Sequence, residues 1–104
     1  MSKLNAEINR ALVVATAREL LTQLGPHFLP TVEAYLKARY NADLEIAGED
    51  PKKFYRAIEE LFGEFGAAMF FYNLLMELHL KPDKRDKETV ISLIKEFAGV
   101  EDGE

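Results

Sequence analysis

The chain has 104 residues, 48% hydrophobic and 30% charged, which is long enough for one hydrophobic core and too apolar to stay disordered. It contains no cysteine, which excludes a disulfide framework, a thiolate nucleophile and any cysteine-ligated metal. Its formal charge of -5 and pI near 5.1 argue against nucleic acid as a partner.

The N-terminal stretch from Met1 to Arg10 carries Lys3, Glu7 and Arg10 and has no apolar run of signal-peptide length. The longest stretches without Asp, Glu, Lys or Arg are the thirteen residues Leu20–Val32, which Gly25 and Pro26 interrupt, and the twelve residues Phe65–Met76, whereas a membrane span needs roughly 20. The expectation is therefore a cytoplasmic chain with no membrane partner. Residues 1–99 read as a single helical domain and residues 100–104 as an acidic disordered tail. Without Glu101, Asp102 and Glu104 the charge falls from -5 to -2, so the tail holds most of the acidity. Glu and Lys together supply 21 residues against a single Gln, a bias that recurs in proteins of thermophiles.

Five helices are predicted. The first spans roughly Leu4 to Leu24, with Leu4, Ile8, Ala11, Leu12, Ala15, Leu20, Leu21 and Leu24 read as its buried face. Gly25 and Pro26 stop it. The second runs from Phe28 or Pro30 to Tyr40 and buries Phe28, Leu29, Val32, Tyr35, Leu36 and Tyr40. Residues 41–50 read as an extended linker that tucks Leu44 and Ile46 against the helices. Asp50 followed by Pro51 is a helix start, because Asp caps free N–H groups and Pro suits the first helical position. The third helix buries Phe54, Ile58, Leu61 and Phe62 and ends at Gly63.

The fourth predicted helix, near Glu64–Leu80, is apolar in every direction, which marks a helix central in a bundle or shared with another chain. Asp86 caps the fifth, Lys87–Ala98, which buries Val90, Ile91, Ile94 and Phe97 and stops at Gly99. The fold class is thus all-α, a single compact bundle of about five helices with one central, nearly all-apolar helix.

Catalytic and metal constellations are hard to build from these residues. The two histidines, His27 and His79, sit in a turn and at a helix end, with no His pair at i, i+4 and no HExxH spacing. Glu45, Glu49, Asp50, Glu59, Glu60, Asp83 and Asp86 alternate with Lys and Arg, the pattern of solvated surface and not of a desolvated acid–base pair. Gly63 and Gly66 match neither GxGxxG nor a Walker loop and follow no strand. A helix-turn-helix centred on Gly63 fails because its second helix offers no basic residue before Lys81.

Leu24-Gly25, the helix around Tyr35-Leu36, the run Asp50-Pro51-Lys52-Lys53-Phe54 and the segment Leu61-Phe62-Gly63-Glu64 together resemble a small all-helical archaeal family, the Nitrosopumilus output domain, over roughly residues 24–80. The sequence departs from that pattern early in the fourth predicted helix, where Phe70 and Phe71 replace an acidic residue. The resemblance implies an interaction or output module in signalling and supplies no catalytic residues.

These readings converge on a non-enzymatic module that acts through protein–protein contact as a homodimer, with no cofactor and no metal. Phe70, Phe71 and Tyr72 are the expected interface, because three consecutive large rings are hard to bury together on one helix. The alternative is a small-molecule sensor or carrier with an apolar pocket lined by Phe65, Met69, Tyr72 and Met76.

Overall fold

The computed structural model describes residues 3–100. The expected tail falls almost wholly outside these residues. Within them the chain forms α1 (Lys3–Leu24), α2 (Phe28–Tyr40), α3 (Ile46–Glu49), α4 (Pro51–Glu77) and α5 (Lys87–Ala98), an all-α bundle. Both α1 and α4 touch all the other helices, so the long pair forms the centre and α2, α3 and α5 pack around it.

The helix starts follow from local chemistry. The Asp50 carboxylate accepts the Lys53 N–H at 3.2 Å, and Pro51 occupies the first position of α4. Asp86 caps α5 by accepting from the Thr89 N–H at 3.1 Å and the Thr89 hydroxyl at 2.7 Å. These bonds from Thr89 also hold the Asp86 carboxyl below its ordinary range.

The 41–50 segment departs from the extended linker expected of it. Leu44 and Ile46 are buried as anticipated, but Ile46–Glu49 closes into a short helix. The reason is close packing: α3 lies against α1, α4 and α5, and Gly48 lets its backbone meet that of Arg10.

A larger correction concerns α1. Its buried face is Val13, Val14, Ala17 and Leu21, while Leu4, Ile8 and Leu12 point outward. Leu21 is buried as expected, but toward the start of α1 the β-branched Val13 and Val14 and the small Ala17 serve the inner face, where four helices hem the helix in. On the outside, Leu4, Ile8 and Leu12 repeat at i, i+4, i+8 and mimic a core stripe. Near its start, α1 is tied to the end of α5: Asn9 Nδ2 donates to the Phe97 carbonyl at 2.9 Å and Arg10 Nη1 to that of Ala98 at 3.0 Å. These bonds satisfy carbonyls that a helix end leaves without partners.

Helix α4 is continuous except at Gly63, whose φ of 82° and ψ of 172° break the helical ladder. The third and fourth predicted helices are therefore two halves of one broken element. The first half buries Phe54, Tyr55, Ala57 and Ile58, and the second buries Ala67, Phe70, Phe71, Leu74 and Leu75. At the far end the helix stops at Glu77. His79 takes a left-handed conformation with φ 61°, and the Leu80 N–H reaches back to the Leu75 carbonyl at 2.8 Å.

Candidate functional site

The break at Gly63 separates a buried aromatic cluster from an exposed apolar face. The cluster is built around Phe54, whose ring centroid lies 6.2 Å from that of Phe70 and 5.6 Å from that of Phe71; Tyr55 stacks on Phe71 at 4.4 Å. Phe70 and Phe71 are 7% and 1% exposed, so both rings belong to the core and only an edge of Phe70 reaches the surface. This corrects the expected interface. Two adjacent large rings are buried together because the first half of α4, bent back by Gly63, brings Phe54 against both of them and Tyr55 against Phe71. Tyr72 is half-buried on another side, where the Arg85 guanidinium lies 4.2 Å from its ring centroid and Nη2 donates to its hydroxyl at 3.2 Å.

The unburied apolar surface lies one turn away. Phe65 is 78% exposed and Met69 47% exposed, and Met76 continues the same side of the helix. Phe65 and Met69 line a groove of about 560 Å³ together with Phe62, Gly66, Phe70 and Asn73 of α4. Its other wall comes from Leu20, Gln23 and Leu24 of α1, with Phe28 of α2 between. Leu24 is 55% exposed. The rings of Phe28 and Phe62 meet at 5.7 Å and close one end.

Of the four side chains expected to line a pocket, the structure brings Phe65 and Met69 into this groove. Tyr72 and Met76 are not in its lining. The spacing on α1 assigns Leu20 and Leu24 to the core; Leu20 does pack against it, whereas Leu24 is exposed beside the Gly25 stop, where a helix end leaves large side chains uncovered. Gly66 is small for a reason: a Cβ there would come within 2.9 Å of the Phe62 Cβ.

A second cluster lies between α2 and the first half of α4. One carboxylate oxygen of Glu60 accepts from the Tyr35 hydroxyl at 2.7 Å and the Tyr40 hydroxyl at 2.9 Å, and the other stands 3.7 Å from Arg39 Nη2. The bonds from Tyr35 and Tyr40 hold the Glu60 carboxyl below its ordinary range. In turn the Tyr35 phenol is raised by its bond to Glu60, and the Tyr40 phenol by burial and then by the same carboxylate. At neutral pH this leaves an ionised acceptor and two protonated donors, a clamp between helices. Lys87 does the same between α5 and α4, with Nζ 2.8 Å from Glu59 Oε1.

His27 lies at the start of α2 with no side-chain cap bond, and His79 is far along the chain past α4. Among the described residues no three His, Cys, Asp or Glu side chains gather as metal ligands, and no helix is long and apolar enough to cross a membrane.

The fold and the groove define a small all-α domain whose distinctive surface is an uncharged apolar trough between two long helices. The chain belongs to the Nitrosopumilus output domain 5 family, whose family model matches residues 7–96. Among solved structures it is similar to PH0832 from Pyrococcus horikoshii OT3, with 29% identity over 88% of this chain and 97% of that one and a TM-score of 0.69. No curated protein matches the chain.

Proposed function

We propose that the protein is a non-enzymatic output module that works by contact with another protein, and that its working surface is the α1–α4 groove. One observation carries the reading: Phe65, Leu24 and Met69 stay exposed around a groove whose lining has no charged side chain. Clustered exposed apolar side chains of this size mark interaction sites. Membership of an output-domain family supports the same reading. Native mass spectrometry of the purified protein tests it. A chain carrying no small molecule is expected. A retained apolar compound, lost on Phe65→Ser, would move the assignment to a small-molecule carrier.

Self-association is the second part of this proposal, now placed on the outer face of α1. Leu4, Ile8 and Leu12 are exposed there, with Ala11 and Ala15 completing the stripe. An antiparallel two-fold pairing sets Leu4 opposite Ala15 of the second copy and Ile8 opposite Ala11, large against small. Sedimentation equilibrium is expected to give a dimer that Ile8→Asp dissociates. A monomer at about 100 μM would remove the homodimer from the proposal.

A further inference from the structure

We infer that the groove receives an amphipathic helix of a different protein, apolar on its inward face and lined with Lys or Arg along its edges. The inference rests on the protein-contact reading of the groove and specifies the partner.

Three observations select the occupant. The first is hydrogen bonding. An extended peptide would bring a row of backbone N–H and C=O groups that need partners, and the lining offers only the side-chain amides of Gln23 and Asn73. A helix satisfies its own backbone and asks the groove only for apolar contact.

The second is shape. The trough runs between two helices, and its α4 wall from Phe65 through Met69 to Asn73 extends over roughly 12 Å, about two helical turns. A third helix presenting side chains at i, i+3, i+4 and i+7 matches that length and spacing.

The third is charge. Neither of the nearest carboxylates in sequence lines the groove, but Glu19 stands one turn before Gln23 on α1 and Glu77 one turn after Asn73 on α4, and both are exposed. No basic side chain lines the groove; Arg18 pairs with Glu33 at 3.4 Å and Arg85 lies over Tyr72. An uncharged floor with exposed carboxylates one turn beyond its lining favours a basic-edged helix and disfavours a fatty acid or an anionic lipid surface. A second copy does not fit this description, since the exposed stripe of its own α1 is flanked by Glu7 and Glu19.

The experiment uses three synthetic peptides of about 16 residues, long enough for four turns. One carries leucines at the spacing above with lysine edges, one has the same leucines with glutamate edges, and one is a scrambled lysine peptide. Fluorescence anisotropy against the whole protein is expected to show binding of the lysine-edged helix, weakened about tenfold or more by Phe65→Ser and by the pair Glu19→Lys with Glu77→Lys. The charge-reversed protein is expected to prefer the glutamate-edged peptide. Phe65 is exposed, so its replacement leaves the fold intact, and circular dichroism of each variant checks this.

Equal binding of both edged peptides, lost together on Phe65→Ser, would overturn the basic partner while leaving the groove as a contact surface. Binding of the scrambled peptide equal to that of the lysine-edged helix would overturn the helical occupant. No binding by any peptide, or binding indifferent to Phe65→Ser, would overturn both readings. Stronger competition from laurate or from anionic vesicles than from the peptides would assign the groove to lipid.

Discussion

Gly48 lies against Arg10 so closely that a methyl group on it would stand 2.7 Å from the Arg10 carbonyl oxygen. The obstacle is backbone, which cannot rotate away. Alanine is the better helix former by about 1 kcal/mol, but overpacking costs about 1–3 kcal/mol and α3 is fixed between α1, α4 and α5. Gly48→Ala is expected to lower the guanidinium midpoint. An unchanged or raised midpoint would mean that α3 can shift away from α1.

Gly63 makes the opposite kind of test. A Cβ there meets nothing within 4 Å, so only the backbone conformation resists substitution. Its φ of 82° with ψ of 172° lies in a region that is nearly glycine-only. Gly63→Ala is expected to destabilise by about 1–3 kcal/mol. A variant more stable than the parent would indicate that α4 can run straight through.

His79 should behave in reverse. It occupies a left-handed position at φ 61°, and the bonds from its N–H to Met76 at 3.0 Å and from Leu80 to Leu75 at 2.8 Å form the usual glycine-favouring helix stop. His79→Gly is expected to raise stability by about 1 kcal/mol, read from denaturant unfolding. A loss of stability would reveal a contact of the imidazole that outweighs the backbone cost.

Phe54 and Phe65 form a matched pair eleven residues apart on α4. Phe54 is fully buried against Phe70 and Phe71, so Phe54→Ala should cost about 3–5 kcal/mol. Phe65→Ala should leave the unfolding midpoint nearly unchanged, because its ring is in water already. Similar costs for the two variants would contradict the placement of the groove.

Acid should loosen the clamp at Glu60. Its folded pKa lies below the ordinary 4.5, so the carboxylate's contribution is complete above that value and disappears as pH falls through the lowered one. Comparing Tm for the parent and Glu60→Gln from about pH 7 to about pH 3, the gap should narrow on the acid side. A gap that stays constant to the acid end would mean that the phenols bind the protonated carboxyl equally well.

The helix boundaries were readable because stops and caps act within a few residues. Asp50-Pro51, Gly63, Asp86 and Gly99 each show in the structure the role their local chemistry implies. Helical phase was readable only where one side of a helix is polar. On α5, Val90, Ile91 and Ile94 are buried as expected. On α1, Leu4, Ile8 and Leu12 lie outside while Val13, Val14 and Ala17 lie inside, so over that stretch size points to the wrong face. The burial of Phe70 and Phe71 escapes a local reading for a related reason: whether adjacent rings fit inside depends on the bend at Gly63, and no local pattern reports where a bend sends the chain. The groove shares that dependence, since its walls come from α1, α2 and both halves of α4.

The bonds from Asn9 and Arg10 to the final carbonyls of α5, with Gly99 seated against Ala6, bring the two ends of the described chain to one corner of the molecule. A domain built this way can be spliced into a surface loop of a host protein without prying the loop open, since entry and exit lie side by side. For the same reason, joining the ends by a short linker and reopening the chain in the exposed Asp83–Arg85 turn is a circular permutation that the packing of α1, α4 and α5 should tolerate.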